Sequence, residues 1–197
     1  MSESQSRQSE WEQRYLSGST GWDRGGVSPA LLHWLDSGQI PKGRVLVPGC
    51  GHGHEVAELI RRGMSVTAVD IAAQPVAHLR EQMNRLGLSA QIIQADLLHW
   101  QPEQAFDAIY EQTCLCALDP EHWTNYEQEL FSWLKPGGKL CALFMQTGRA
   151  GGPPFDCPVP SMQQLFVSER WIWEDTQALD VPHPNGLVEH GFVLTRR

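Results

Sequence analysis

RVLVPGCGHGHEVAELIRRGMSVTAVD, residues 44–70, decides the fold of this 197-residue chain. It begins with a short apolar run, Val45–Val47, that is typical of a buried strand. The turn that follows contains glycines at Gly49, Gly51 and Gly53. Helical spacing of apolar residues then extends from about His54 to Gly63, and a second apolar run ends at Asp70. Strand, glycine turn, helix, strand and acid in this order predict half of a nucleotide-binding βαβ fold.

The position of the acid agrees with this interpretation. Asp70 lies 21 positions after Gly49, close to the spacing of about 20 residues at which a carboxylate reaches a ribose. Such a carboxylate can accept hydrogen bonds from both ribose hydroxyls. The glycines are spaced Gly-x-Gly-x-Gly, which disfavours a dinucleotide because that class uses Gly-x-Gly-x-x-Gly. A tight turn without any ligand is the structural alternative.

Strands and helices alternate from Arg44 to about Met145, which is the signature of a parallel, doubly wound sheet. Three of the predicted strands are followed by an acid: Asp70, Asp96 and Glu111. Ligands of such sheets bind outside the carboxyl ends of the strands, so we expect the three acids to surround one crevice. Each acid taken alone could merely cap the next helix.

The alternation of strands and helices ends after the last of these strands. A Gly/Pro-rich loop covers 148–160, a short helix is predicted from Ser161 to Val167, and strands are predicted over 169–179 and 187–195. The predicted fold is therefore an α/β, Rossmann-like, doubly wound sheet of seven strands. It is mostly parallel, ends in an antiparallel C-terminal hairpin and carries helices on both faces.

The length and the 41% hydrophobic content predict one domain spanning 1–197. Residues 1–10 are polar and are expected to lack regular structure. Residues 11–40 should form an N-terminal helical lid and a helix, and 44–197 the sheet core. The lid is suggested by three aromatic residues, Trp11, Tyr15 and Trp22. The alternative is that they pack as core beneath an N-terminal arm.

Composition excludes several classes of function. The net charge of −8 and the pI of about 5.4 argue against nucleic acid as a partner, and no apolar stretch is long enough for a membrane span. The N-terminus lacks the apolar core of a signal peptide, so a cytoplasmic location is expected, with a monomer as the default. The five cysteines and eight histidines show no ligand spacing typical of a metal site. We therefore expect none.

Several motifs resemble those of class I S-adenosylmethionine-dependent methyltransferases: VLVPGCGHGH (45–54), AVDI (68–71) and LKPGG (134–138). The chain resembles more narrowly the thiopurine S-methyltransferase family, closest to its plant-type halide and thiol methyltransferase branch. That resemblance is carried by Trp11, Tyr15, Gly18, Trp22-Asp23, the proline of VPGCG, FDAI (106–109) and GGPP (151–154).

The resemblance implies S-adenosylmethionine as cofactor, S-adenosylhomocysteine as product and a small-molecule methyl acceptor. It also implies roles for individual residues. Trp11 and Trp22 would close the site at the methionine end of the cofactor, and Gly49 and Gly51 would lie beneath that end. Asp70 would bind the ribose. Asp96 and Leu97 would meet the adenine, and Glu111 would contact the amino-acid end of the cofactor.

The expected reaction is an in-line displacement of the methyl group by a small soft nucleophile such as a thiol, hydrosulfide, a halide or a thiopurine-like sulfur. An anionic acceptor needs positioning and exclusion of water rather than a base. For a neutral thiol, Tyr15 and Tyr126 are the candidate catalytic residues, with His52 and His54 as further candidate bases. The alternative functions are an NAD(P)-dependent Rossmann oxidoreductase and a non-catalytic protein that binds S-adenosylmethionine.

Overall fold

The computed structural model describes residues 2–174 and 177–197. The helices are α1 (Glu3–Leu16), α2 (Pro29–Asp36), α3 (His54–Arg61), α4 (Ala73–Leu86), α5 (Trp123–Trp133) and α6 (Val159–Leu165). The strands are β1 (Arg44–Pro48), β2 (Ser65–Asp70), β3 (Gln91–Gln94), β4 (Phe106–Gln112), β5 (Leu134–Gln146), β6 (Trp171–Trp173), β7 (Leu179–Pro182) and β8 (Val188–Arg196). Two 3₁₀ turns, Leu115–Ala117 and Pro120–His122, separate β4 from α5.

All of these strands belong to one sheet. Seven follow the order β3-β2-β1-β4-β5-β8-β6, and β7 also pairs with β8. The first five strands are mutually parallel, whereas β8 is antiparallel to β5, β6 and β7. The predicted Rossmann-like fold with an antiparallel C-terminal part is confirmed.

The sheet is buried on both faces. Leu46 packs into a cluster on one face, while its neighbours Val45 and Val47 pack into a cluster on the other. Successive side chains of a strand point to opposite faces, so a continuous apolar run is what a strand covered by two helical layers requires. No helix among the described residues is long and apolar enough to cross a membrane.

The C-terminal strands differ from the prediction. In place of a single strand over 169–179, the structure has β6 and β7, which pair with opposite ends of β8. The predicted span includes positions 175–176, which lie outside the described residues. The sheet consequently has one more strand than the seven expected.

The expectation that residues 1–10 lack regular structure is wrong. Helix α1 begins at Glu3 and is capped by Ser2 and Gln5, whose side chains exchange hydrogen bonds with each other's backbone N–H groups. A polar sequence can form a helix when its end is capped and one face is docked. Here the docking is supplied by α4, which α1 contacts.

Three further elements, β5, α5 and α6, have bounds that differ from what the local sequence suggests. Residues 135–138, within the LKPGG motif, lie inside β5, whose pairing with β4 has an irregularity between Phe106 and Ala108. A 3₁₀ turn that Asp119 caps precedes α5, which therefore starts at Trp123. Helix α6 spans Val159–Leu165, so it begins two residues before the start predicted at Ser161.

Candidate active site

A cavity of about 300 Å³ opens at the carboxyl ends of the parallel strands, beneath α1. Seven residues predicted from the sequence line it: Trp11, Tyr15, Trp22, Gly49, Asp70, Asp96 and Leu97. A smaller cavity of about 60 Å³ adjoins it and shares Trp22, Gly49 and Thr113 with it. The crevice expected from the strand-then-acid pattern is thus present, with a roof of aromatic residues.

Asp70, at the end of β2, is a buried carboxylate at the cavity wall. One oxygen accepts a hydrogen bond from the Gly51 N–H at 2.9 Å, and the other accepts one from the Ala72 N–H at 2.9 Å. Burial raises the pKa of Asp70 to about 6, against the lowering effect of these N–H donors. Asp70 therefore fixes the glycine turn while keeping a carboxylate on the cavity.

Asp96, after β3, lies in a different electrostatic environment. Its carboxylate accepts hydrogen bonds from the Arg7 guanidinium at 2.8 Å and from the Leu98 N–H at 3.1 Å. Burial alone would raise its pKa, but hydrogen bonds from Ser4, Arg7 and Leu98 outweigh burial and lower the pKa to about 2. Asp96 is thus ionised throughout the physiological range, and it anchors α1.

Three aromatic side chains form the roof of the cavity. Trp11 and Tyr15 lie one helical turn apart on α1, and each meets Trp22 edge to face, with ring centroids 5.3 and 5.4 Å apart. Trp11 and Tyr15 thus share one face of α1. All three rings line the cavity, so their packing also shapes a binding surface.

This roof is attached to the rest of the fold by polar contacts. A Glu12 carboxylate oxygen accepts hydrogen bonds from the backbone N–H groups of Ala73 at 2.6 Å and Gln74 at 3.0 Å, at the start of α4. No cap for those groups comes from Ala72. The Trp22 carbonyl lies 3.1 Å from His183 Nε2, which connects the aromatic loop to the C-terminal half.

Glu111 is also buried, but its contacts differ from those of Asp70. It lies near the end of β4, where one oxygen accepts hydrogen bonds from the N–H groups of Cys114 at 3.1 Å and Leu115 at 2.7 Å. Burial raises the pKa of Glu111 to about 7. It is not among the described residues that line either cavity, so its position does not support the predicted direct contact with a cofactor.

The two tyrosines named as candidate catalytic residues have different environments. Tyr15 lines the cavity, and burial raises its pKa. Tyr126 is fully buried, packs against Trp133 and lies outside the described lining of both cavities. Among the glycines predicted to bind the cofactor, Gly51 lines the smaller cavity and is not among the described residues of the main one. The geometry therefore keeps Tyr15 at the site and places Tyr126 in the core.

His52 and His54 contact Asp23 rather than the main cavity. His52 Nδ1 lies 2.5 Å and His54 Nε2 2.8 Å from the two oxygens of the Asp23 carboxylate. Their candidate role as bases is not supported by this position. The three side chains form a group of possible metal ligands. The sequence predicts no metal site, because Asp23 is distant in sequence from the two histidines and the spacing of these histidines alone gives no ligand pattern.

Sequence reasoning missed other residues of the main cavity: Arg7, Thr113, Met145, Pro153, Pro154 and Asn185. Arg7 lies in the stretch expected to lack structure. Thr113 has a left-handed backbone with φ of 59°, a strain that often accumulates at functional sites. The Gly/Pro-rich loop was the available signal for the two prolines.

Gly49 has a conformational requirement that the sequence motif only partly explained. Its φ is 56°, and a Cβ built there would lie 2.9 Å from both Cβ and Sγ of Cys114. Glycine is therefore needed at this position for packing within the protein as well as for access to the cavity.

A model of the family described as thiopurine S-methyltransferase matches residues 6–192. The chain belongs to the thiopurine S-methyltransferase family. It is 32% identical over 160 residues to a probable thiol methyltransferase 2 of Arabidopsis thaliana, covering 80% of this chain and 71% of that protein. It is 28% identical over 201 residues to a thiopurine S-methyltransferase of Vibrio cholerae, covering 92% and 91%.

Solved structures support the fold of this family member. A Burkholderia thailandensis 1,6-didemethyltoxoflavin-N1-methyltransferase, with S-adenosylhomocysteine bound, superposes with a TM-score of 0.78 at 21% identity. The match covers 96% of this chain and 86% of that one. Family membership makes the protein an S-adenosylmethionine-dependent methyltransferase, and the oxidoreductase and non-catalytic alternatives are set aside.

Proposed function

We propose that the main cavity binds S-adenosylmethionine and that the enzyme transfers its methyl group to a small soft nucleophile: a thiol, hydrosulfide, a halide or a thiopurine-like sulfur. The observation that carries this proposal is the Asp70 carboxylate, which faces the cavity beneath the Trp11, Tyr15 and Trp22 cluster. A hydrogen-bond acceptor for a ribose and an aromatic surface for a cation thus lie at one site.

The polar groups around the cavity fit the parts of this cofactor. Asp70 would accept hydrogen bonds from the ribose hydroxyls. Asp96 and Leu97, which follow β3, would contact the adenine. Gly49 and Gly51 would leave room for the amino-acid end, which can extend toward the smaller cavity that both glycines line. We infer an indirect role for Glu111, which fixes the turn after β4 through the backbone of Cys114 and Leu115.

The cofactor supplies a methyl group on a positively charged sulfonium, which makes that group electrophilic. The faces of Trp11, Tyr15 and Trp22 can attract such a cation by roughly 0.5–2 kcal/mol each. These side chains also exclude water, which strengthens electrostatic interactions inside the site. Their contribution is therefore to bind and orient the reactants and to keep the site dry.

The acceptor would lie against the part of the wall that is apolar: Cys116, Leu118, Met145, Pro153 and Pro154. No histidine is found among the described residues that line the main cavity. That surface suits an acceptor that arrives as a soft anion, for which holding the nucleophile in line supplies most of the rate enhancement. The names of the plant and bacterial relatives, which refer to thiols and thiopurines, favour sulfur among these acceptors.

Two cysteines in the cavity wall must not compete with the acceptor. Burial raises the pKa of Cys114 and Cys116 above the ordinary range of a thiol. Because the thiolate is the nucleophilic form, both side chains stay protonated and unreactive at neutral pH. The cavity can therefore place sulfur atoms beside the methyl donor without methylating itself.

Two measurements test the proposal. Calorimetric titration should show binding of S-adenosylhomocysteine and no binding of NAD. The second measurement is a panel of acceptors: hydrosulfide, iodide, thiocyanate, simple thiols and a thiopurine. Volatile and non-volatile methyl products are detected, and turnover should be faster with a sulfur nucleophile than with iodide. Turnover with none of these acceptors, while S-adenosylhomocysteine binds, would contradict the proposed acceptor class. The monomeric state and the cytoplasmic location expected from the sequence stay predictions.

A further inference from the structure

A second group of chemically active side chains lies beside the smaller cavity. Asp23 follows Trp22 in the aromatic loop, whereas His52 and His54 belong to the glycine turn after β1. We propose that these three side chains bind a divalent transition-metal ion of the zinc class, and that the ion clips the aromatic loop to the glycine turn.

The geometry suits three ligands to one ion. The candidate ligand atoms of the three residues all lie within 4.8 Å of one another. Two ligands on a zinc ion are roughly 3.3 Å apart, because each Zn–N or Zn–O bond is about 2.0–2.2 Å long and the angles are near tetrahedral. His52 Nδ1 and His54 Nε2 lie 2.5 and 2.8 Å from the Asp23 oxygens. An ion would replace these two hydrogen bonds after the side chains separate by about 0.5–0.8 Å.

The backbone holds the two histidines in place for a common ligand. They flank Gly53, whose left-handed φ of 68° turns the chain into α3. A Cβ at Gly53 would lie 2.5 Å from a Leu79 methyl group, so the position is confined to glycine and the turn is confined in shape. The histidine side chains therefore start from a constrained segment, which reduces the entropy lost on binding an ion.

The exposure of the three side chains is intermediate, and this supports access. The side chains of Asp23, His52 and His54 are 21%, 23% and 28% exposed. An ion can reach them from solvent, and a water molecule can complete four-coordination, as in zinc sites with three protein ligands. Two imidazoles and one carboxylate form a donor set that prefers zinc or a neighbouring first-row ion to calcium or magnesium.

The surrounding charge favours a cation. The carboxylate of Glu55 lies on the same small cavity and accepts a hydrogen bond from the Ser28 N–H at 3.1 Å. The cation nearest in sequence, Arg24, is directed elsewhere, with its guanidinium 3.2 Å from Glu189 and 2.7 Å from the Pro182 carbonyl. The negative charge of Asp23 is thus not already neutralised by an arginine.

A second group of possible ligands provides an internal control. Glu3, Glu121 and His122 also lie within metal-ligand distance of one another. The side chains of Glu3 and Glu121 are 68% and 74% exposed, and Glu3 is paired with Arg7. Exposed, partly neutralised carboxylates make a weaker site than two imidazoles on a constrained turn. His122 belongs to a different group from the one that contains Asp23, so His122→Ala should not affect the proposed site.

The first experiment measures zinc binding by tag-free protein in competition with a chromophoric chelator. One equivalent should bind, and His52→Ala, His54→Ala and Asp23→Asn should each weaken binding by about tenfold or more. His33→Ala, which removes an exposed histidine of α2, and His122→Ala should leave binding unchanged. Undiminished binding by both His54→Ala and Asp23→Asn would overturn the proposal.

The second experiment needs no variant. X-ray absorption of the zinc-loaded wild-type protein should show two imidazole ligands among light-atom donors. A spectrum with one imidazole or none, or with sulfur, would overturn the assignment.

The clip itself rests on the proposed function, since it assumes that S-adenosylhomocysteine lies beneath the aromatic loop. Zinc should slow the dissociation of S-adenosylhomocysteine several-fold in wild-type protein and should have no effect in His54→Ala. A dissociation rate independent of zinc would overturn the clip. Failure of S-adenosylhomocysteine to bind either with or without zinc would count against the proposed function instead, because the zinc titration does not depend on the cofactor.

Discussion

The ends of β2 and β4 carry the same sequence pattern and use it differently. Each strand places a buried carboxylate close to its carboxyl end, Asp70 in one and Glu111 in the other, and burial raises the pKa of both. Asp70 lines the main cavity. Glu111 instead accepts hydrogen bonds from the backbone of the 3₁₀ turn that follows its strand.

The difference comes from the direction of the side chain. Residues of a strand alternate between the two faces of the sheet, and the neighbours of Glu111 in the strand pack on known faces. Ile109 belongs to the buried cluster beneath α5, which also contains Leu115, while Tyr110 packs on the opposite face. Glu111 shares the face of Ile109, so the turn reaches its carboxylate first. An acid that follows a strand thus indicates a residue at the carboxyl ends of the strands. It does not by itself show that the residue contacts a ligand.

The largest expected effect tests the β2 side. Asp70→Ala removes the carboxylate that we propose accepts two charge-assisted hydrogen bonds from the ribose, worth about 1.5 kcal/mol or more each. Affinity for S-adenosylhomocysteine should fall about 100-fold, since 1.4 kcal/mol corresponds to a factor of ten. Isothermal titration calorimetry measures the change.

The matched control is Asp107→Ala. Asp107 also accepts a backbone hydrogen bond, from the Arg44 N–H at 2.8 Å, but it lies at the opposite end of the sheet. Its affinity for S-adenosylhomocysteine should match that of the wild type. Equal losses in the two variants would show that Asp70 acts through the fold alone.

The next effect tests the β4 side. Glu111→Ala leaves the buried N–H groups of Cys114 and Leu115 without their acceptor, which should reduce the free energy of unfolding by about 2 kcal/mol. Urea denaturation measures this loss, and Glu111→Gln, which keeps an acceptor oxygen, should lose less. Affinity of the folded Glu111→Gln protein for S-adenosylhomocysteine should change less than about threefold. A much larger loss of affinity would restore the direct contact predicted from the sequence.

The pH dependence of binding separates the two carboxylates again. The pKa of Asp70 in the free protein is about 6, raised by burial, so its carboxyl group is mostly protonated below pH 6 and mostly ionised above it. Because an ionised carboxylate is the stronger acceptor for the ribose hydroxyls, affinity for S-adenosylhomocysteine should fall as pH decreases, by about fivefold between pH 6 and 5. The fall should disappear in Asp70→Asn. A midpoint near 7 that moves in Glu111→Gln would assign the titration to the other strand.

The smallest expected effect is tested with two tryptophan variants, Trp22→Ala at the cavity on the β2 side and Trp123→Ala beside the turn that follows β4. Trp22→Ala removes one aromatic face from the cavity and should weaken S-adenosylmethionine binding about fivefold, as a cation–π loss near 1 kcal/mol implies. Trp123 donates from its indole N–H to the carbonyls of Leu115 and Leu118, each at 3.0 Å. Trp123→Ala should therefore lower the melting temperature more than Trp22→Ala does, with little change in affinity. Calorimetry and thermal denaturation of both variants give the two readouts.

Local patterns in the sequence were sufficient for the cofactor half of the sheet. The apolar runs of β1 and β2, the glycines between them and Asp70 are close in sequence, so periodicity and turn chemistry determine their arrangement. The same holds for Trp11 and Tyr15, whose spacing fixes a common helix face. These features were sufficient for the fold class and for part of the cavity lining, including Trp11, Tyr15, Gly49 and Asp70.

Contacts between distant segments could not be predicted in this way. Asp23 meets His52 and His54 across about 30 residues, and Arg7 meets Asp96 across 89. Nothing in the local sequence around any of these residues specifies its partner, since such contacts depend on how whole elements pack. The start of α1 was missed for the same reason, because docking against α4 stabilises a helix whose sequence is polar throughout its first turns.

The arrangement of β6 and β7 along β8 has a consequence for self-association. At one margin of the sheet the outermost strand is β3, with four residues, and at the other are β6 and β7, with three and four. Unpaired backbone groups on a long outer strand invite pairing with a second chain, and natural proteins avoid this by keeping such strands short. Among the residues that the structure describes, neither margin offers a long template of this kind, so the sheet itself opposes growth into fibrils or edge-to-edge dimers.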